Sequence, residues 1–241
     1  MKRCNIYQEI LQAKLAKKKL LAILLDPDKI VWESLSALIQ KINQSPATHV
    51  FIGGSQVGNS ILEELILQIK KDCLLPVVLF PGDASQISNQ ADGILFLSLL
   101  SGRNPDYLIG HQLKAAPVLK KTQLEIIPTG YVLIESGRET AVERVSQTRP
   151  LDRDNLDVVL ATVLAGEMMG NKLIYLEAGS GAQKAVPQEM IALVAQNIAV
   201  PLIVGGGIVS RQGIQKAYNS GADLVVIGTA FENNMDFFNE L

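Results

Sequence analysis

Apolar residues along this chain gather in short runs rich in branched side chains, evenly spaced and continuous rather than alternating. The runs cover residues 20–25, 49–52, 76–80, 93–99, 124–127 with an extension toward Ile134, 172–176, 201–204 and 224–227. Unbroken hydrophobicity of this length is what strands covered on both faces show, as in parallel sheets. Between the runs the period changes to that of a helix. Ile61, Leu62, Leu65, Ile66 and Ile69 share one face, with Glu63, Glu64, Gln68, Lys70 and Lys71 mostly opposite. Residues 154–169 and 188–197, the latter behind Pro187, behave alike, and Ser210 caps a segment 211–218 that stops at Gly221. Strand and helix signals alternate, which predicts βαβ units with right-handed crossovers.

Eight strand candidates in 241 residues give about 30 residues per unit, the repeat of a (β/α)8 barrel of roughly 250 residues. An open doubly wound sheet is the alternative; a series of units with no break in composition favours closure. The expectation is one α/β domain over residues 1–241, a TIM barrel with an extra, Lys-rich N-terminal helix in residues 1–19. The stretch 135–153, carrying Arg138, Arg144, Arg149 and Arg153, reads as a polar connection outside the repeat.

Composition narrows the field. The chain is 48% hydrophobic and 19% charged, too apolar for disorder, and Lys+Arg 22 against Asp+Glu 24 leaves a formal charge of -2. That balance carries no electrostatic footprint for nucleic acid or an anionic membrane. No apolar run approaches the ~20 residues of a spanning helix, and no leader-like apolar segment follows the charged start. Two cysteines, Cys4 and Cys73, without metal-type spacing, fit a reducing compartment. A cytoplasmic protein is expected.

In a (β/α)8 barrel the active site lies at the carboxyl ends of the strands, so the residues just beyond each run carry the information. They are Asp26-Pro27-Asp28-Lys29, Gly53-Gly54-Ser55, Pro81-Gly82-Asp83, Ser101 to Pro105, Glu177-Ala178-Gly179-Ser180-Gly181, Gly205-Gly206-Gly207 and Gly228-Thr229. Backbone N–H groups at a helix start bind a phosphate dianion, and glycine lets them approach it closely. The triple glycine and the Gly-Thr pair fall on the last two strands, where barrel enzymes hold phosphate; plain tight turns are the competing reading. The spacing lacks the dinucleotide fingerprint. Glu177 emerges on the catalytic face with Tyr175 on the same side, placed to accept from a substrate hydroxyl or to act as general base. A carboxylate paired to a barrel lysine is the alternative. Asp26 and Ser55 put one carboxylate and one hydroxyl on a shared rim, a set of hard oxygens that suits Mg2+, while Asp-Pro-Asp is also an ordinary turn sequence.

In this order the motifs resemble those of the geranylgeranylglyceryl phosphate synthases and their bacterial heptaprenyl relatives. The resemblance rests on Leu25-Asp26-Pro27-Asp28-Lys29, Phe51-Ile52-Gly53-Gly54-Ser55, Asn104-Pro105, Val204-Gly205-Gly206-Gly207-Ile208 and Val226-Ile227-Gly228-Thr229. Its most specific element is Tyr175-Leu176-Glu177-Ala178-Gly179-Ser180-Gly181, and it spans residues 20–232. It implies a TIM-barrel prenyltransferase that joins sn-glycerol 1-phosphate to a polyprenyl diphosphate through an ether bond, releasing diphosphate with Mg2+. By that resemblance Asp26 and Ser55 are the metal ligands. Tyr175, Leu176, Glu177, Ala178, Gly179, Ser180, Gly181, Gly206, Gly207, Gly228 and Thr229 bind glycerol 1-phosphate. The full Tyr175–Gly181 run and the long insertion before the sixth strand look closer to the geranylgeranyl-using branch. The short bacterial forms carry a lysine two residues before the aspartate; this chain has Leu24, so that lysine's role does not carry over. A homo-oligomer is expected on the same grounds, with no nucleic acid partner and at most transient membrane contact for the lipid product.

The chemistry fits the residues on its own terms. Ionising an allylic diphosphate needs its leaving charge neutralised, which Mg2+ does as Lewis acid and template. The acceptor hydroxyl must sit beside the allyl carbon and lose its proton, the role expected of Glu177, with Asp26 on the metal side. Leu97, Leu99, Leu100, Tyr107 and Tyr131 are candidate lining for an isoprenoid groove, with core packing as their alternative reading. Two rivals stand beside this reading. One is another phosphate-binding barrel, an isomerase or lyase of histidine or tryptophan biosynthesis using Asp26 and Glu177 as acid and base. The other is a non-catalytic phosphometabolite binder, which would need only the glycine loops. His49 opens its run at the opposite end of the barrel, His111 reads as a surface or interface residue in a helix, and Cys73 as packing. The apolar 235–238 tail reads as a contributor to self-association.

Overall fold

Parallel pairing in this computed structural model closes on itself. β1 (Leu20–Leu25) pairs with both β2 (His49–Ile52) and β8 (Leu224–Ile227). β3 (Val77–Leu79), β4 (Gly93–Leu99), β5 (Glu125–Leu133), β6 (Leu173–Glu177) and β7 (Leu202–Gly205) complete the ring in chain order. The structure describes residues 5–54 and 59–238. The expected (β/α)8 barrel is therefore the observed architecture.

The continuous apolar runs have a direct cause. Leu20, Ala22, Phe51, Val78, Tyr131, Tyr175, Ile203 and Val226 point into the barrel. Their alternates, among them Leu21, Ile23, Val50, Ile52, Val77, Ile174 and Val225, pack outward against the helices. A strand buried on both faces has no polar face to alternate with. The outer layer comprises α2 (Leu35–Gln44), α3 (Asn59–Asp72), α4 (His111–Leu119), α6 (Leu156–Met168), α7 (Gln188–Asn197) and α8 (Arg211–Asn219). Short α9 (Thr229–Asn233) follows β8 at the mouth.

The N-terminal helix forms as α1 (Ile6–Leu15), and its Ile6 and Ile10 join the inward-facing cluster, so α1 closes the barrel floor. The Glu125 carboxylate at the start of β5 accepts the Ile6 and Tyr7 amides, two of the donors a helix start leaves open. Lys14 pairs with Asp223 at 2.9 Å. Cys73 is a buried free thiol, as its packing role requires, whereas Cys4 lies outside the described residues.

The structure refines three expectations. The fifth strand takes the extension toward Ile134: β5 pairs with β4 from Glu125 through Tyr131, so Pro128-Thr129-Gly130 lies within the sheet. The 135–153 connection contains a further helix, α5 (Ala141–Ser146), opened by a reciprocal cap between Thr140 and Glu143. In the 235–238 tail, Phe237 and Phe238 turn back onto the chain's own core, their rings 4.9 Å apart and Phe238 6.0 Å from Phe231. Phe237 is thereby buried, while Phe238 stays partly exposed and Met235 exposed. Among the described residues no helix is long and apolar enough to cross a membrane.

His49 sits, as expected, at the floor end. It is 3% exposed, its Nδ1 2.8 Å from Thr48 Oγ1, and its Nε2 has no partner among the described residues. Burial pushes its pKa down from 6.5 to about 4. The unfolded chain therefore binds a proton that the folded chain refuses across that window, and stability falls as pH drops through it. The loss, in full below about pH 4, is on the order of 3 kcal/mol. Urea unfolding at a series of pH values should show this decline, and a His49→Leu variant should show a shallower one; equal slopes would remove His49 as the cause.

Candidate active site

At the carboxyl ends of the strands lies a cavity of about 470 Å3. Two walls of different chemistry face each other across it.

The polar wall is made by the loops after β6, β7 and β8. Gly206 (φ +79°) and Gly207 (φ +68°) adopt left-handed backbone, and the β7 loop lies directly on the β6 loop. A Cβ on Gly206 would run into Glu177 Oε1 and lie 2.6 Å from the Gly179 nitrogen and 2.7 Å from the Ala178 nitrogen. Only glycine permits that approach. Ser180 Oγ stands 3.4 Å from Thr229 Oγ1, which brings the β8 loop to the same point. Gly179, Ser180, Gly181, Gly206, Gly207, Gly228 and Thr229 all line the cavity. Leu176 and Ala178 do not: strand alternation turns both outward into the helix-facing layer, and the Ala178 amide is engaged by the Gly205 carbonyl.

Glu177 sits beneath this cradle. It is 6% exposed, Oε1 accepts the Gly179 amide at 2.7 Å, and among the described residues no cation pairs with it. The lysine-paired alternative is thus not what the fold builds. Burial raises its carboxyl above the ordinary range, partly offset by the Tyr175 hydroxyl beside it and the Gly179 amide. Tyr175 Oη is itself buried at the cavity wall beside the Glu177 carboxylate, though outside regular hydrogen-bond geometry. The rings of Phe80, Tyr131 and Tyr175 form a cluster with centroids 5.8, 5.5 and 5.4 Å apart, and all three line the cavity. Burial, then the Glu177 charge, pushes both tyrosine hydroxyls well above their usual 10.

Asp26, at the end of β1, also faces the cavity. Its Oδ1 accepts the Asp28 amide at 3.2 Å, its own amide donates to Glu232 Oε1 at 3.1 Å, and Lys29 bridges Glu232 (3.1 Å) and Asp26 (3.4 Å). Burial lowers the Lys29 pKa, but the Glu232 and Asp26 carboxylates outweigh it and hold the ammonium above its usual value. Ser55, the other expected metal ligand, lies outside the described residues. Among the described residues no three His, Cys, Asp or Glu side chains converge. A single hard carboxylate at an open mouth fits Mg2+ completed by substrate phosphate oxygens, and does not fit an all-protein cage.

The opposite wall is apolar. Ile87, Ile94, Phe96, Leu97, Ala115 and Leu119 line a groove that leaves the barrel mouth between β4 and α4. Of the expected lining, Leu97, Leu99, Tyr107 and Tyr131 are present and Leu100 is not: it points outward, against the faces of Gly130 and Gly166. His111 is also placed differently from the surface or interface reading. It lines the cavity, its ring 4.6 Å from that of Tyr107 and tilted 44° to it, with Nδ1 accepting the Ala84 amide. Sequence reasoning passed over Phe80 and Glu232. For Glu232 a signal existed, because it stands one helical turn beyond Thr229 in a segment already tied to the site.

The closed barrel and these facing walls define a class: a (β/α)8-barrel enzyme with a glycine-built anion cradle, a buried carboxylate below it and an apolar groove opposite. Within that class the chain belongs to the PcrB family, whose model matches residues 13–240. It is 69% identical over 234 residues to the geranylgeranylglyceryl phosphate synthase of Flavobacterium johnsoniae, spanning 97% of this chain and 96% of that protein. It superposes with a TM-score of 0.92 and 31% identity, over 98% of this chain and 95% of the other, on the crystal structure of (S)-3-O-geranylgeranylglyceryl phosphate synthase from Thermoplasma acidophilum in complex with its substrate sn-glycerol-1-phosphate. A mutant tryptophan synthase α-subunit from Pyrococcus furiosus, at TM-score 0.55 and 12% identity over 89% of this chain and 88% of the other, shares the fold alone.

Proposed function

We propose that this chain is a geranylgeranylglyceryl phosphate synthase, joining sn-glycerol 1-phosphate to geranylgeranyl diphosphate and releasing diphosphate. The observation that carries the reading is the meeting of a glycine cradle and an apolar groove at one buried carboxylate, Glu177, within one cavity.

In this reading the loops at Gly179–Gly181, Gly206–Gly207 and Gly228–Thr229 hold the phosphate dianion by backbone N–H groups. The glycerol hydroxyl lies over Glu177, and the isoprenoid tail lies along Leu97 and Leu119. The bond between the allylic carbon and the diphosphate oxygen breaks with its electron pair leaving on diphosphate. The glycerol oxygen bonds to that carbon, and its proton passes to Glu177. The raised carboxyl of Glu177 suits it to this transfer better than an ordinary glutamate. The Tyr175 hydroxyl beside Glu177 helps to hold that carboxylate and the acceptor in place, and the Phe80, Tyr131 and Tyr175 ring faces favour positive charge developing beside them. Asp26, with Ser55, would hold Mg2+, which when bound neutralises the charge of the leaving diphosphate. Lys29 and Glu232 fix the backbone and carboxylate of Asp26.

Incubation with radiolabelled sn-glycerol 1-phosphate and a series of prenyl diphosphates, followed by extraction into organic solvent, tests this directly. Label should enter the organic phase with geranylgeranyl diphosphate and Mg2+; none with any donor would end the reading. Asp26→Asn should melt with the parent, yet lose both turnover and the Mg2+-dependent binding of inorganic pyrophosphate measured by calorimetry. Unchanged pyrophosphate binding would remove Asp26 from the metal site.

A further inference from the structure

The arginines of the 135–153 insertion divide by what they touch. Arg153 is structural: its two terminal nitrogens donate to the carbonyls of Glu135 (3.0 Å) and Ala185 (3.1 Å), tying the insertion to the loop after β6. Arg144 lies 4.0 Å from Glu139. Arg138 has neither kind of commitment. Its side chain makes no hydrogen bond or ion pair among the described residues, it lines the cavity, and it lies over Gly181. A Cβ on Gly181 would sit 3.5 Å from Arg138 Nη2, 3.7 Å from Cζ and 3.8 Å from Nη1, so a guanidinium rests against the last glycine of the cradle.

The loop that delivers Arg138 is built onto the cradle. Besides the Arg153 tie, the Lys184 amide donates to the Ser136 carbonyl at 3.1 Å, and Thr140 packs where Gly179 has no side chain. Glu135 accepts the Gly137 amide at 2.6 Å, and Ser136 Oγ donates to the Arg138 carbonyl at 3.3 Å, which fixes the turn. Charge decides what this arrangement is for. The cradle offers neutral backbone donors, and a phosphate leaving water for a cavity walled by apolar side chains needs a cation as well. Of the cationic side chains lining the cavity, Lys29 is held between Glu232 and Asp26, and Arg144 faces Glu139.

We infer that Arg138 is a specificity-determining residue that binds the phosphate of the glycerol phosphate substrate from above the Gly179–Gly181 loop, with the 135–153 insertion serving to hold it there. The inference rests on the proposed function and assigns one more contact within that site. Its guanidinium fork matches a phosphate edge with two parallel N–H donors, which a lysine does not reproduce.

The test separates the two substrates. Arg138→Ala should raise the KM for sn-glycerol 1-phosphate by about 10- to 100-fold and leave that for the prenyl diphosphate within about threefold. Arg138→Lys should fall between parent and alanine. Calorimetric titration with sn-glycerol 1-phosphate alone should show the same ordering, and the parent's affinity should weaken more steeply with salt than the alanine variant's. If Arg138→Ala does not fold, Arg138→Gln carries the same measurements. A folded variant with unchanged glycerol phosphate affinity overturns the inference, as does a loss confined to pyrophosphate binding, which would move Arg138 to the leaving-group side. A parent enzyme that turns over no glycerol phosphate would instead bring down the proposed function itself.

Discussion

A Glu177→Gln variant is expected to fold, bind both substrates and turn over about 10²- to 10⁴-fold more slowly, the range a positioned general base contributes. Glutamine is isosteric and its carbonyl oxygen can still accept the Gly179 amide that now meets Oε1 at 2.7 Å. What it cannot do is take the proton from the attacking hydroxyl. The KM values should therefore stay close to those of the parent while kcat falls. The pH profile supplies a second readout. Parental kcat should rise with pH as Glu177 ionises, along a limb lying above the ordinary carboxylate value of 4.5 because burial has raised it; the glutamine variant should lack that limb. Stability should move the other way. A buried acid whose folded pKa exceeds its unfolded value favours the folded state at low pH, and that contribution is lost as pH rises through the window between the two. At neutral pH the neutral amide should thus be at least as stable as the ionised parent, a local trade of stability for activity. Undiminished kcat would place the base elsewhere.

What the sequence could and could not reveal follows from the reach of each interaction. Glu177 and Tyr175 were legible because a strand's period of two settles their side from local spacing alone. The same rule separates Leu99 from Leu100, and the structure obeys it: Leu97 and Leu99 face inward while Leu100 goes to the outer layer, so only reading the apolar run as a block makes Leu100 a groove residue. The extension of β5 beyond Ile127 was legible in the apolar run toward Ile134, although Pro128 and Gly130 are local break signals that pairing with β4 overrides. Helix α5 is six residues long and rich in charge, too short to show a period, and depends on the Thr140–Glu143 cap. The contacts that complete the mouth were beyond local reading altogether. Glu232 receives the Asp26 amide across 206 residues of chain, and Phe80 meets Tyr131 and Tyr175 only once the barrel closes. The cradle was readable because glycine itself records the close approach; its cation was not, because an arginine in a polar insertion carries no mark of where the insertion docks.

Gly206→Val is expected to weaken sn-glycerol 1-phosphate binding by more than about 100-fold, the consequence of losing two or more charge-assisted donors. Two effects act together. At φ +79° a branched side chain is strained, which alone costs about 1–3 kcal/mol. Its Cβ also collides with Glu177 Oε1 and crowds the amides of Gly179 and Ala178, so the β6 and β7 loops must separate. Separation dismantles the cradle and displaces the base, so kcat falls as well and cannot locate the damage. Binding can. Asp26 stands at the end of β1, next to β8 and away from the β6 and β7 loops that the collision separates, and is held by Lys29 and Glu232. Calorimetry should accordingly find Mg2+-dependent pyrophosphate binding within about threefold of the parent while glycerol phosphate binding is lost. Gly206→Ala should give the same ordering with a smaller drop, since the strain and the first collision remain and the branch is gone. Equal weakening of both ligands would mean that the glycine loops and Asp26 serve a single subsite, and the division of the mouth into a phosphate side and a leaving-group side would fall with it.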